Sequence, residues 1–359
     1  MKKKLLAFAA ALLVLVAFGG FAFWYFMSKP LYEPGMVHAE LNLRGPLVPP
    51  PQANDADFWN VEKDIRLYHF AAGEGPNVLI IHGGPGQPSS GPWPGLQALT
   101  NDYRFVYYDQ RGCGRSTRPF DKFANPSDFY SNLKTLDQTL GIGAQVADIE
   151  RIRKILGEDK LVLIGHSFGG LLASLYAAEF PDHVKALILV SPADLLVMPQ
   201  QDIAFFDEIN NRLPPEMKSE YGDYLKRYLD FSGIFSKSEA ELQSLNAEFG
   251  KYYWAAAKAS GLPVPVEQNS SAGGGWMVQA MYFSMGLKHD YRAALKSVKA
   301  PVLVIHGAND LQPEKVSRAY VEAFTNAKLE VIPQAGHFSF LDKPEEFSAT
   351  ISRFLAEVK

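Results

Sequence analysis

Seven apolar runs, separated by amphipathic stretches, constrain this chain more than any other feature. They span Val61 to Phe70, Asn77 to His82, Tyr103 to Tyr108, Lys160 to Ile164, Val184 to Val190, Pro301 to His306 and Leu329 to Ile332. The middle ones are continuously apolar instead of alternating, as strands covered on both faces are. Between them, Gln145 to Leu156 repeats Val146, Ile149, Ile152 and Ile155 at helical spacing with charges between. Phe168 to Phe180 closes at Pro181, and Pro344 to Val358 reads as the last helix. Strand–helix alternation predicts a mostly parallel sheet layered by helices, the α/β class. The alternation fails once. From about Ala193 to Leu295 there are helical patterns and turns but no convincing strand. An insertion of that length between two sheet strands is expected to sit as a lid over one end of the sheet.

At the end of the fourth run the chain reads LVLIGHSFGG, Leu161 to Gly170. In G-x-S-x-G, after a strand and before a helix, the serine sits on a strained corner, and the flanking glycines let neighbouring backbone approach closely. Ser167 is thereby lifted above the sheet as a candidate nucleophile. A serine needs a base to take its proton and an acid to orient that base. Asp310, in VLVIHGAND, follows a strongly apolar strand, and His337, in IPQAGHF, follows the final one. Singly, Asp310 reads equally as a helix cap and His337 as a packed imidazole. Together, at strand ends and in the chain order Ser, Asp, His, they form a candidate triad. Asp194, at the end of LVSPAD, is a rival acid. Amide donors for an oxyanion are expected from Phe168, at a helix start, and from Gly84 in VLIIHGGPG, Val78 to Gly86.

These motifs give the chain a resemblance to the α/β-hydrolase fold family and, within it, to the prolyl iminopeptidase branch. That branch shows HGGPG, as His82 to Gly86 do here, and D-Q-R-G-x-G-R-S, as Asp109 to Ser116 do. The likeness covers about residues 60 to 359 outside the insertion. It implies removal of an N-terminal residue, often proline, from short peptides. Asp109 and Arg111 then hold the loop below the site, and Cys113 either packs there or lies near the pocket. Two features depart from the branch. A tryptophan usually follows its nucleophile, where Phe168 stands, and lid glutamates near a Trp-rich stretch usually hold the substrate's amino group. Here KYYWAAAKASG, Lys251 to Gly261, has alanines at that place. Glu208, Glu239 and Glu248 are other lid acids, either facing the pocket or forming a solvated helix face. The lid aromatics, among them Phe205, Phe206, Tyr252, Tyr253, Trp254, Trp276, Tyr282 and Phe283, mostly pack, with a few expected to touch substrate. Ser270 to Gly275 reads as a flexible hinge.

The formal charge of −4 carries no long basic run, which argues against a nucleic-acid partner. No zinc-type Cys/His spacing and no internal repeat occur, and no metal or organic cofactor is expected. Lys2, Lys3 and Lys4 precede an uncharged apolar run from Leu5 to Met27. A helix of that length spans about 35 Å, enough to cross a bilayer core. Residues 1–27 therefore read as a membrane anchor or a cleaved signal peptide, with the rest outside the cytoplasm. With a single cysteine, Cys113, an exported domain relies on its core without an internal disulfide, and a lipoprotein is excluded. The expected organisation is 1–27 anchor or signal, 28–57 proline-rich linker, 58–192 with 296–359 as the α/β-hydrolase core, and 193–295 as the helical lid. The expected activity is that of a serine hydrolase forming an acyl-enzyme on a short-peptide or small-molecule substrate. A carboxylesterase, lactonase or thioesterase is the alternative, and a non-catalytic ligand-binding homologue is a third reading. The sequence leaves the oligomeric state open.

Overall fold

The continuous apolar runs form the middle of an eight-stranded sheet in this computed structural model, which describes residues 29–200, 205–264 and 272–358. The strands are β1 (Phe58–Glu62), β2 (Ile65–Ala72), β3 (Asn77–Ile81), β4 (Arg104–Tyr108), β5 (Leu161–His166), β6 (Val184–Val190), β7 (Val302–Gly307) and β8 (Ala327–Ile332). Their order across the sheet is β1-β2-β4-β3-β5-β6-β7-β8. The β1–β2 and β2–β4 pairs are antiparallel and every later pair is parallel. The run from Val61 to Phe70, expected as one strand, is a hairpin instead. Lys63 and Asp64 are exposed and turn the chain, because no core faces them there.

Each central strand feeds two cores at once. Val78, Ile80, Ile188, Val190, Leu303 and Ile305 point to one face, and Leu79, Ile81, Leu187, Leu189, Val302 and Val304 to the other. A side-chain period of two splits one apolar run between two helix layers. The helices of the core are α1 (Phe129–Leu140), α2 (Ile142–Leu156) and α3 (Phe168–Glu179). Within the insertion lie α4 (Phe205–Arg212), α5 (Pro215–Tyr228), α6 (Glu239–Ala259) and α7 (Trp276–Met285), and beyond it α8 (Glu314–Ala323) and α9 (Pro344–Glu357). The stripe read in α2 is real: Val146, Ile149 and Ile152 are buried, and Gly157 ends the helix in the left-handed region that a side chain disfavours. α2, α3 and α8 cover one face of the sheet, while α9 packs Phe347, Ile351 and Phe354 on the other.

The two stems of the insertion are stitched together where they leave the sheet. Val197 and Met198 pair antiparallel with His289 and Asp290, and the Tyr291 N–H donates to the Leu196 carbonyl. Above that neck, Tyr221, Tyr224, Tyr228, Tyr252 and Tyr253 pack into a cluster of their own. Ser238 starts α6 with a capping box closed by Glu241.

Residues 29–48 run across the α2–α3 layer. The Glu179 carboxylate at the end of α3 accepts from the Tyr32 hydroxyl and from the N–H groups of Gly35, Val37 and His38. Four donors on one carboxylate fix this strap to the core. The expectation of a membrane-tethered or exported domain is corrected here. Among the described residues no helix is long and apolar enough to cross a membrane. The run 1–27, on which that expectation rested, lies outside them.

Candidate active site

Ser167 occupies the corner between β5 and α3 with φ 52° and ψ −120°. Holding a residue with a Cβ there costs about 1–3 kcal/mol, so the surroundings must over-determine it. The Ser167 N–H donates to the Val190 carbonyl at 2.9 Å, and its own carbonyl accepts from Gly170 and Ala193. A Cβ at Gly165 would run into the Gly169 carbonyl, and one at Gly169 into the carbonyls of Ile81 and His82. The end of β3, the end of β5 and the start of α3 therefore meet where only hydrogen fits. Ser167 remains half-buried above that junction.

The HGGPG turn lies directly against it. A methyl on Gly83 would come within 2.9 Å of the Ser167 Cβ, and Gly84 has φ +120°. Among the described residues the Gly84 N–H has no acceptor. Phe168, as the first residue of α3, has an N–H without an intrahelical partner. His82 braces the turn. Its Nδ1–H donates to the Gly83 carbonyl at 2.9 Å while its Nε2 accepts from the Gln110 N–H at 3.1 Å. Burial holds the ring neutral, with its pKa pushed down to about 4. Gln110 also donates its side-chain amide to the His82 carbonyl. The DQRG loop is thus the floor of the HGGPG turn. Arg111, fully buried, anchors that floor on Asp148 and Glu62, which Arg151 also pairs. The Cys113 thiol is buried beside His82 and donates to the Gln110 carbonyl.

His337 follows β8 and is held from three directions. Its Nδ1–H donates to Asp310 Oδ2 at 2.9 Å. The His166 Nε2–H donates to its carbonyl at 2.9 Å. Asp342 Oδ2 accepts the N–H of the preceding Gly336 at 2.7 Å. Burial alone would raise the Asp310 carboxyl; the adjacent imidazole, by charge and hydrogen bond, brings it below its ordinary range, and the Gln312 N–H helps. Burial, then the neighbouring His337, push His166 down to about 3, so it stays neutral and serves as a donor. Burial raises the Asp342 carboxyl, the Gly336 amide works against that, and the Asp310 charge adds to it. The His166 and His337 rings lie 4.8 Å apart. Ser167 and His337 thus flank His166, although no hydrogen bond joins their side chains among the described residues.

The insertion closes over this rim. Phe205 stacks on the His337 ring at 6.3 Å and Tyr253 meets it edge-on at 6.4 Å. Most of the other lid aromatics pack, Tyr252 and Trp276 being fully buried. The lid glutamates singled out from the sequence are engaged elsewhere: Glu208 with Arg212, Glu248 with Arg227, and Glu239 with Arg118 and the Gly275 and Trp276 N–H groups. The expected hinge is also corrected. Ser270 and Ser271 lie outside the described residues, and Ala272–Gly275 is pinned. Arg118 binds the carbonyls of Ala272 and Gly273, the Gly114 N–H donates to Ala272, and the Gly274 N–H donates to Gly86 of the HGGPG turn.

The α/β-hydrolase-fold family model matches residues 76–344, three quarters of the chain. The chain belongs to the α/β-hydrolase fold family. A proline iminopeptidase of Heyndrickxia coagulans is 27% identical over 296 residues, which cover 80% of this chain and 92% of that protein. Two solved structures share the fold, each at 20% identity and covering 82% of this chain. The Mycobacterium smegmatis proline iminopeptidase has a TM-score of 0.55 with 96% of its own chain covered, and a Thermogutta terrifontis esterase 0.53 with 94%. This α/β-hydrolase is accordingly an enzyme of the serine-hydrolase kind, related to peptidases and esterases. Sequence reasoning missed His166 and Asp342 as braces of the His337 loop, and the Arg118–Glu239 clasp. His166 carried a signal, a polar residue at the buried end of a strand, but its partner lies 171 residues away.

Proposed function

We propose that this α/β-hydrolase removes an N-terminal residue, often proline, from short peptides through an acyl-enzyme. The single observation carrying this reading is the bond from His337 Nδ1–H to Asp310, set beside a serine held on a strained, glycine-flanked corner. His337 takes the Ser167 proton as Oγ attacks the carbonyl carbon, and Asp310 keeps the imidazole in the tautomer that leaves Nε2 free. The Gly84 and Phe168 amides hold the oxyanion. As the tetrahedral species collapses, His337 returns the proton to the departing amine; water, activated by the same base, then frees the acyl group. The Ser167–His337 hydrogen bond forms with substrate in place, as is common in this chemistry. Residues 193–295 act as a cap over a core made of 58–192 and 296–359.

The proline iminopeptidase relative, similar along most of both chains, supports the peptidase branch. Hydrolysis of a carboxylic ester, lactone or thioester is the second reading, favoured by the engagement of Glu208, Glu239 and Glu248 with other partners. Turnover of a proline anilide compared with short-chain esters separates them. The peptidase reading expects the anilide to be cleaved and N-acetylation of it to abolish cleavage. Ester turnover alone, with no advantage from a free amino group, would sink it.

A further inference from the structure

A cavity of about 210 Å³ opens beside His337. Its walls are Tyr253, Trp254, Leu262 and Phe338, and His337 and Asp342 also line it. Ser167, Gly84 and Phe168 do not line it. It is smaller than the roughly 300 Å³ of the usual small-molecule site, which suits one ring-bearing group better than an extended chain. Trp254 and Phe338 stack at 5.5 Å along one wall, and Leu341, 44% exposed, also lines it. The Asp342 carboxylate spends one hydrogen bond on a neutral amide, and among the described residues no lysine or arginine lines the space.

Resting on the acyl-transfer reading above, we propose that this cavity is the leaving-group subsite, and that Asp342 makes it select a neutral or cationic aromatic or apolar leaving group against an anionic one. In acyl transfer the imidazole gives its proton to the leaving atom as the bond to the acyl carbon breaks, so the departing group lies on the histidine side of the scissile bond. A cavity that touches His337 and not the oxyanion donors occupies that side. Aromatic walls bind a ring by area and face-to-face contact. A carboxylate in that wall accepts N–H donors and repels a second carboxylate, an effect screened in part by water and by Lys343.

The test measures kcat/KM on two matched pairs: prolyl-phenylalaninamide with prolyl-phenylalanine, and phenyl acetate with 4-acetoxybenzoate. In each pair the second member differs by one carboxylate on the leaving group. In Asp342→Asn the neutral-over-anionic preference is expected to fall about tenfold. Asparagine keeps a carbonyl oxygen for the Gly336 N–H, and any loss common to both members cancels in the ratio. Leu341→Lys, a change at a partly exposed site, is expected to shift the same ratio toward the anionic member. A ratio that neither variant moves overturns the subsite while leaving the hydrolase reading intact. Turnover of the ester pair alone, with the ratio falling as expected, upholds the subsite and removes the peptidase reading. No turnover of either pair overturns both.

Discussion

The rim at the strand ends and the helical insertion above it are held together by different means. At the rim, positions are set by backbone meeting backbone: Gly165 against Gly169, and Gly169 against Ile81 and His82. Such contacts admit no substitution larger than hydrogen. In the insertion, positions are set by side chains, a tyrosine cluster and scattered ion pairs such as Arg227–Glu248, that share the load among many partners. On the proposed reading, chemistry that tolerates little error is placed on the first kind of structure, and the part that would meet variable substrates on the second.

The largest expected effects fall on the rim. Ser167→Ala should lower kcat about 10⁵-fold with the fold intact, and Asp310→Asn about 10⁴-fold, read by steady-state kinetics beside circular dichroism. Gly169→Ala should cost about 3 kcal/mol or more in chemical denaturation, since its Cβ meets two carbonyls that cannot retreat. If that variant is as stable as the parent, the contrast between rim and insertion is wrong.

Stability should also decline as pH falls from about 6.5 toward about 4. His82 and His166, pushed down to about 4 and about 3, stay neutral in the folded protein while the unfolded chain takes up protons. Their contribution is therefore complete above the ordinary histidine range and is lost below it. Asp109, raised to about 6 by burial, has the opposite sign and offsets part of this. The slope of unfolding free energy against pH checks it, and His166→Gln, which keeps a donor for the His337 carbonyl, should flatten that slope.

The Arg118–Glu239 clasp joins the two regions, so its removal should give an intermediate effect. Arg118→Ala frees the Ala272–Gly275 strap whose Gly274 N–H holds Gly86, and kcat should fall about tenfold through a misplaced HGGPG turn. Arg227→Ala, which breaks an exposed pair in the insertion, should change stability by less than about 1 kcal/mol and leave kcat alone.

The same difference explains what the sequence made legible. Ser167 and its glycines are local in the chain, so the motif and the reason for it appear together. Asp310 and His337 were read from strand ends and order, and the two side chains do meet, because a parallel sheet brings such ends to one rim. The Val61–Phe70 run misled because two exposed residues, Lys63 and Asp64, suffice to reverse an edge strand. The glycine-rich strap looked like a hinge because glycine signals freedom only when nothing binds the backbone, and Arg118, 154 residues away, does bind it. His166 and Asp342 act on the backbone of the His337 loop, a contact that no residue pattern records.

The rate at which a fluorophosphonate labels the protein, with the modified residue located by mass spectrometry, tests the Ser167–His337–Asp310 arrangement most directly. We expect rapid modification of Ser167 alone, slowed by orders of magnitude in His337→Gln and in Asp310→Asn. Modification elsewhere, or an equal rate on Ser167 when the imidazole is removed, would contradict it.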